Sequence, residues 1–159
     1  MRFATDATLG RLGRHLRAAG FDTLCRHQSR QTDFFETLDA DRIVLTRTRA
    51  IQRRFRDRSV VFIHDNDPWR QLRQVVRELG IGQRDAKPFS RCLACNRVIS
   101  PVDKEAVKTR VPAYVWQRHR TFHGCAQCQR IYWAGSHHDR MGKRLATLFQ
   151  HKEERIHEC

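Results

Sequence analysis

Short apolar runs of strand length alternate with amphipathic helical segments over the first half of the chain. The predicted strands cover residues 2–5, 23–25, 42–46 and 59–63. Strand and helix alternate four times, and this pattern is typical of a parallel sheet with right-handed crossovers and helices on its faces. We therefore expect an α/β fold in which a ligand would bind at the carboxyl edge of the strands.

Helix start signals separate the predicted strands. Thr8 is the expected cap of the first helix, and Asp67 is the expected cap of the last. Between them, Asp33 and Glu36 have the spacing of a capping box at the start of a short helix, with Thr32 as an alternative cap. The predicted helices cover residues 8–19, a short segment after residue 32, residues 48–57 and residues 67–79.

Two CxxC pairs follow in the second half of the chain: Cys92 with Cys95, and Cys125 with Cys128. Each pair can form a knuckle that turns two thiolates onto one cation, and two knuckles supply the four-sulfur set that structural zinc prefers. Disulfides or a redox-active pair are the alternatives. No secretory signal is recognisable, and redox CxxC motifs usually follow a strand near a βαβ start, so we expect zinc. Four thiolates leave no open position for water, so its role would be structural.

The spacing around these pairs indicates how the second half is organised. Residues 96–124 are longer than the usual ribbon spacing, so we expect an inserted helix or hairpin between the knuckles. Residues 131–133 predict a ribbon strand, and Ser136 with Asp139 has capping-box spacing for a last helix. The expected organisation is an α/β domain at 1–82, a linker at 83–91, a zinc ribbon with its C-terminal helix at 92–150, and a frayed tail at 151–159.

The net charge of the chain indicates what kind of partner it binds. The 159-residue chain carries a formal charge of +14, and arginine supplies 26 of its 31 basic side chains. The planar guanidinium fork matches phosphate oxygens and stacks on bases, so nucleic acid is the natural partner, with a solvated basic face as the alternative. An arginine cluster around the third predicted helix favours a phosphate track at Arg47, Arg49, Arg53, Arg54, Arg56 and Arg58.

Hydropathy excludes a membrane partner. The chain has no apolar run of about 18 residues, and no helix pairs a basic face with a large apolar one. We therefore expect a soluble, cytoplasmic protein. The aromatic side chains of Trp116, Tyr132 and Trp133 could stack bases, although such residues more often fill a small core.

Acidic side chains are predicted to converge at the carboxyl edge of the sheet. Asp6 ends the first strand, Asp33 opens the helix after the second, and Asp65 and Asp67 follow the fourth. Carboxylate oxygens bind Mg²⁺ or Mn²⁺, and such ions activate water and neutralise phosphate in hydrolysis. The alternative is that Asp33 and Asp67 are helix caps and that Asp6 is a turn residue.

Three blocks of sequence resemble a known family. They are Asp6 with residues 9–17 (LGRLGRHLR), residues 43–47 (IVLTR), and the CxxC pairs followed by residues 132–137 (YWAGSH). These blocks are similar to the C-terminal ribonuclease domain of the Mut-seven exonuclease and its stand-alone bacterial and archaeal relatives. The resemblance implies a PIN-like parallel sheet flanked by helices, followed by a small four-cysteine zinc ribbon with a C-terminal helix.

The same resemblance implies metal-dependent cleavage of RNA. Asp6 and Asp33 match acidic positions of the family pattern and would bind Mg²⁺ or Mn²⁺ there. The expected nucleic-acid-binding residues combine the arginine cluster with basic residues of the matching blocks: Arg11, Arg14, Arg47, Arg49, Arg53, Arg54 and His137.

One position departs from the family pattern. Relatives read Thr-Arg-Asp after the third strand, whereas this chain reads Thr46, Arg47 and Thr48. The site therefore loses one carboxylate, for which Asp65 or Asp67 could compensate, and cation affinity should fall. We expect a Mg²⁺- or Mn²⁺-dependent endoribonuclease acting on structured RNA, with tRNA, rRNA and mRNA as candidates. The alternative is a non-catalytic RNA-binding or ribosome-associated protein.

Overall fold

A computed structural model of the chain describes residues 1–26 and 34–150. Four strands lie where the apolar runs predict them and form a parallel sheet. They are β1 (Arg2–Thr5), β2 (Asp22–Cys25), β3 (Arg42–Thr46) and β4 (Val60–Phe62), in the spatial order β2-β1-β3-β4. The predicted α/β class with a parallel sheet is confirmed.

Among the described residues, the α-helices are α1 (Gly10–Ala18), α2 (Arg49–Arg54), α3 (Pro68–Glu78), α4 (Ala113–Arg118) and α5 (Ser136–Gln150). A 3-10 turn at Ala7–Leu9 precedes α1, and Asp6 caps it. The prediction that Thr8 is this cap was wrong, because its hydroxyl and N–H both donate to Asp6. Asp67 caps α3 as predicted, accepting from two N–H groups of the first turn.

The strands separate two apolar layers. Phe3 and Leu45 are fully buried with the apolar side chains of α1 and α3, while Ala4 and Val44 belong to a second cluster that includes Ile51 of α2. Successive residues of a strand point to opposite faces of a sheet, so this alternation assigns each helix to a face. Helices α1 and α3 therefore cover one face, and α2 covers the other.

The segment on either side of β3 differs from the prediction. Helix α2 is shorter than residues 48–57, and Thr48 at its N-cap makes no side-chain capping bond. Its N–H donates instead to the hydroxyl of Thr46. Residues 34–41 form turns and bends where a short helix was expected, while Thr32 and Asp33, the predicted caps of that helix, lie outside the described residues.

A second, antiparallel sheet forms the ribbon: β5 (Ser100–Val102), β6 (Phe122–Gly124) and β7 (Ile131–Tyr132), with β6 in the centre. The long stretch between the CxxC pairs contains α4, so the predicted insertion is a helix. Val115 of α4 is buried with Val107, and Trp116 packs against them. A core this small is the kind that usually needs a metal to hold it.

Arg17 ties α1 to the first CxxC pair. Its side chain is 1% exposed. The guanidinium donates to the carbonyl oxygens of Leu93 and Ala94, which lie between the two cysteines of the pair, and to the carbonyl of Thr23 in β2. The ribbon is therefore held to the first sheet by a buried cation rather than by apolar contact alone.

Asn96 makes a second tie at the same place. Its Oδ1 accepts from the N–H of Thr23, and its Nδ2 donates to Asp22. Burial alone would raise the pKa of Asp22, but the hydrogen bonds from Arg42 and Asn96 lower it to about 2. Asp22 is therefore ionised throughout the physiological pH range, and this tie persists there.

The residues expected to form a linker run along the end of α1. The N–H of Phe89 donates to the carbonyl of Ala18, and the N–H of Lys87 donates to that of Ala19. Gly20 allows this approach, because its φ is +96° and a Cβ there would overlap the backbone of Lys87. This segment thus forms part of the packing around α1.

Helix α5 packs on the α/β part of the molecule. Leu145 and Phe149 are buried in the same cluster as Phe3, Leu12 and Leu72. The chain therefore returns from the ribbon to complete the first core, and α5 borders both parts. No helix within residues 1–26 and 34–150 has the length and apolarity needed to cross a membrane.

Candidate nucleic-acid interface and metal centre

The four cysteines of the CxxC pairs meet in one cluster, with all Sγ atoms within 4.8 Å of one another. The Sγ atoms of Cys92 and Cys128 are 3.4 Å apart, and those of Cys95 and Cys125 are 3.3 Å apart. A disulfide would require about 2.05 Å. A tetrahedral zinc ion with Zn–S bonds of about 2.3 Å requires sulfur atoms about 3.8 Å apart. The cluster therefore fits a structural four-thiolate zinc site and excludes the disulfide alternative.

Groups around the cluster favour the ionised form of one of its thiols, that of Cys92. The hydroxyl of Tyr132 lies 3.0 Å from Cys92 Sγ and accepts from the N–H of Leu93 at 3.2 Å. Burial alone would raise the pKa of Cys92, but hydrogen bonds from Tyr132 and from backbone N–H groups such as that of Cys95 lower it to about 6. Thiolate is the form that binds zinc, so these donors prepare Cys92 for the ion. Burial has the opposite effect on two other thiols: it raises the pKa of Cys95 to about 12 and also raises the pKa of Cys128. A bound cation would therefore be needed to ionise the full set of four.

Asp6 occupies the carboxyl end of β1 as predicted, but its carboxylate is already fully engaged. The side chain is buried. Oδ1 accepts from the N–H and the hydroxyl of Thr8, at 2.9 and 2.6 Å, and Oδ2 accepts from the hydroxyl of Thr46 and the N–H of Arg47, at 2.7 and 2.8 Å. Asp6 thus joins the end of β1 to the end of β3.

Two of the other predicted acids, Asp65 and Asp67, are also engaged in local structure. Asp67 caps α3, Asp65 Oδ1 accepts from the N–H of Asp67, and Asp33 lies outside the described residues. Within residues 1–26 and 34–150, the only group of three or more potential ligands gathered for one ion is the cysteine cluster. The described carboxylates therefore form no group of three or more ligands, and the predicted Mg²⁺ or Mn²⁺ site stays a prediction.

Basic side chains from both parts of the molecule meet in one cleft of about 720 Å³. Arg11 and Arg14 project from α1, Arg130 follows the second CxxC pair, and His137 lies in the first turn of α5. Among the described residues, Asp67 is the one acidic residue in its lining. Such a concentration of positive charge between two walls attracts a polyanion. We refer to it as the basic cleft.

The basic cleft continues into a groove of about 630 Å³ between α3 and α5, since both are lined by Asp67 and Trp69. Trp69 stacks on His15, with ring centroids 4.3 Å apart, and the Arg144 guanidinium lies over its ring at 5.2 Å. Burial lowers the pKa of His15, which favours the neutral form of this ring. The groove adds four cations to the path: Arg70, Arg73, Lys143 and Arg144.

The remaining arginines predicted to bind nucleic acid lie on or beside α2, which covers the opposite face of the sheet. Arg54 is paired with Glu36, and the Arg49 guanidinium lies over the ring of Phe62 at 4.1 Å. Arg53 is exposed and Arg47 is half-buried. The structure therefore brings Arg11, Arg14 and His137 together, and it separates them from the α2 arginines.

Sequence reasoning missed several cations of this path. Arg130 lies two positions after Cys128, where the cysteine spacing was the feature used for prediction. Arg70 and Arg73 lie in α3, which was predicted from its apolar positions. The three-to-four-residue spacing of Lys143, Arg144 and Thr147 places them on one side of α5, which is the only signal the sequence offered.

The comparisons with known proteins give one match. A family model described as the Mut7-C RNAse domain matches residues 1–145, which is most of the chain. No curated protein and no solved structure matches the chain. The matched range includes Asp6, both CxxC pairs and the whole lining of the basic cleft.

Proposed function

The chain belongs to the Mut7-C RNAse domain family, and on that basis we propose that it binds RNA in the basic cleft. The observation that supports the proposal is that cations from α1, the ribbon and α5 meet around one cleft, in which a single acidic residue of the described chain takes part in the lining. Phosphate contacts supply most of the affinity of a nucleic-acid-binding protein. The continuation toward α3 and α5 would extend the phosphate path beyond one nucleotide.

A pair of arginine substitutions tests this proposal. Arg11→Ala with Arg14→Ala removes two exposed cations from the cleft. We expect RNA affinity to fall roughly tenfold or more near physiological salt, and the slope of log affinity against log salt to fall by about 1.4 to 1.8, because two phosphate contacts are lost. Fluorescence anisotropy over a salt series measures both quantities.

The matched control removes the same charge from the opposite face. Arg49→Ala with Arg53→Ala leaves the cleft intact, and we expect a change of less than threefold, in line with a distant electrostatic effect. An equal or larger loss from the α2 pair would place the RNA on the other face and contradict the proposal.

Cleavage of the bound RNA is a second proposal, and its metal dependence stays a prediction. It is favoured by family membership and by the position of Asp6 at the carboxyl end of β1, beside Arg47 and Thr48 at the end of β3. Of the predicted ligands, Asp6, Asp65 and Asp67 form no group of three among the described residues, and Asp33 lies outside those residues. The alternative is RNA binding without cleavage, in a ribosome-associated or other complex.

Thr48→Asp restores the carboxylate that this chain lacks relative to its family. Thr48 is exposed and its side chain caps nothing, so the substitution should fold. If the domain is a nuclease weakened at one ligand, cleavage of structured RNA with Mn²⁺ should rise about tenfold or more. Gel assays of wild type, Thr48→Asp and the surface control Thr109→Asp measure it. Persistent binding without cleavage in all three would identify a non-catalytic protein.

A further inference from the structure

An apolar groove opens beside the basic cleft, between the ribbon and the start of α5. It has a volume of about 590 Å³, within the range of pockets that hold a small ligand. Phe89, Tyr132 and Trp133 supply aromatic rings to its lining, and Met141 adds a flexible apolar side chain. All four are only partly buried, so the groove is open to solvent.

The groove and the basic cleft are contiguous. Leu93, His137 and Met141 line both of them. A ligand with an apolar flat part and an attached negative charge could therefore place the first in the groove and the second in the cleft. A nucleotide has this construction, because its base is a flat aromatic ring joined through the sugar to phosphate.

Polar groups in the groove are available to a ligand. The side chains of Thr121, His123, Trp133 and Ser136 line it and make no hydrogen bond with any described residue. Ligand pockets usually combine an apolar lining with a few polar groups of this kind, which fix the orientation of the ligand. The edge of a nucleobase carries both donors and acceptors that such groups can meet.

Two rings on the wall of the groove already show the expected packing geometry. Phe89 and His138 have ring centroids 3.8 Å apart, with an angle of 32° between their planes. This pair and Trp133, which lies in the connection from β7 to α5, all line the groove, and aromatic rings of this kind have flat faces on which a base can stack. Base stacking on such faces is tolerant of sequence, because every base has a π-face.

From these observations we infer that the groove binds an unpaired nucleobase of the RNA whose phosphates lie in the basic cleft. This inference rests on the proposed function and adds the substrate class: single-stranded or bulged RNA, in which a base can leave the stack. A continuous duplex has no free base to insert. It would bind through phosphate contacts in the cleft alone.

The first experiment uses the wild-type protein and changes the RNA. The probes are a fluorescent single strand of about 12 nucleotides, the same strand with abasic riboses at its central positions, and a blunt duplex. Without added Mg²⁺ or Mn²⁺, we expect the intact strand to bind about tenfold more tightly than the abasic one. Equal affinity for the two strands would overturn the inference.

The second experiment fills the groove. Ala134 is exposed and lines it, so Ala134→Phe places a ring where the base would lie. We expect this variant to bind the intact and abasic strands equally, with the salt slope and duplex affinity of wild type. Ala146→Phe, an exposed position on α5 outside the groove, is the matched control and should keep the tenfold preference. Full preference in Ala134→Phe would also overturn the inference.

A third variant separates this inference from the proposed function. Arg11→Ala with Arg14→Ala should weaken all three probes to a similar extent, since phosphate contacts do not depend on the base. If these substitutions weaken binding while the abasic strand binds like the intact one, the cleft stands and the base site fails. If they leave all three affinities unchanged, the cleft proposal itself fails.

Discussion

Removal of zinc is expected to unfold the ribbon. Structural zinc contributes roughly 10–16 kcal/mol of apparent binding free energy in zinc-finger peptides, and the apolar core of this ribbon is small. Cys125→Ser, or a chelator, should abolish the hydrogen-exchange protection of β5, β6 and β7. Metal analysis should give one zinc ion per chain in wild type and a strongly reduced content in the variant.

The effect should extend beyond the ribbon. Arg17 donates to the carbonyls of Leu93 and Ala94, which lie between the two cysteines of the first CxxC pair. Asn96 follows this pair in the sequence, and its Oδ1 accepts from the N–H of Thr23 in β2. When the knuckle loses its shape, these buried donors lose their acceptors, and each unsatisfied group costs about 1–3 kcal/mol. We therefore expect the melting temperature of the α/β part to fall as well.

The terminal Cys159, which belongs to neither CxxC pair, provides the control. Cys159→Ser should leave the zinc content and the melting temperature unchanged. A chelated protein that kept both its ribbon protection and its melting temperature would show that the ion is not structural.

Loss of the Asp6 carboxylate is expected to destabilise the protein by about 3–5 kcal/mol, because four donors then lose their acceptor in a buried place. For a chain of this size that corresponds to a fall of about 10 °C in melting temperature for Asp6→Ala. Asp6→Asn should cost less, about 1–3 kcal/mol, because one oxygen remains as an acceptor. The remaining cost arises because the new NH₂ group faces donors and cannot accept from them. Thermal denaturation followed by circular dichroism measures both.

Two further variants identify the cause of this loss. Thr46→Val removes the hydroxyl that donates to Asp6 Oδ2, so its effect should be non-additive with that of Asp6→Asn. The exposed Asp57→Asn is the matched control and should change stability by less than about 0.5 kcal/mol. Additive effects of the first two substitutions would show that the hydrogen bond between Thr46 and Asp6 contributes little to folding.

Destabilisation of Asp6 variants would also affect an assay of their RNA cleavage. Loss of RNA cleavage in an Asp6 variant could follow from unfolding, because the carboxylate links β1 to β3. Activity of Asp6 variants is therefore informative only at temperatures at which they are folded. Thr48→Asp avoids the problem, since its site is exposed and the substitution adds a ligand instead of removing one.

Much of the fold could be predicted from short stretches of sequence. The strands at 2–5 and 42–46 match β1 and β3, the Asp67 cap opens α3, and the CxxC pairs meet as four sulfur atoms. Each strand, the Asp67 cap and each CxxC knuckle depend on residues a few positions apart, whereas the meeting of the two knuckles joins residues 30 to 36 positions apart. Hydrophobic period, capping chemistry and knuckle spacing act at the shorter range, so the sequence alone is sufficient to show the strands, the cap and the knuckles.

The candidate site depended on longer distances. Arg11 of α1 and His137 of α5 line the same cleft, while Arg53 of α2 lies on the other face, although all three fitted a basic surface equally well. The carboxyl-edge rule placed Asp6 correctly, but it could not show that Thr8 and Thr46 would occupy both of its oxygens.

The sequence by itself determined most of the α/β and ribbon elements, the two cysteine pairs that could bind zinc and the positive charge, because each is a local pattern or a sum over residues. Only the tertiary structure decided which cations face one another, that α5 borders both parts, and that an aromatic groove adjoins the basic cleft. The physical reason is that these arrangements arise where helices and strands that are distant in the sequence pack against one another. Whether two distant side chains meet depends on the crossing of whole elements, which no short stretch of sequence encodes.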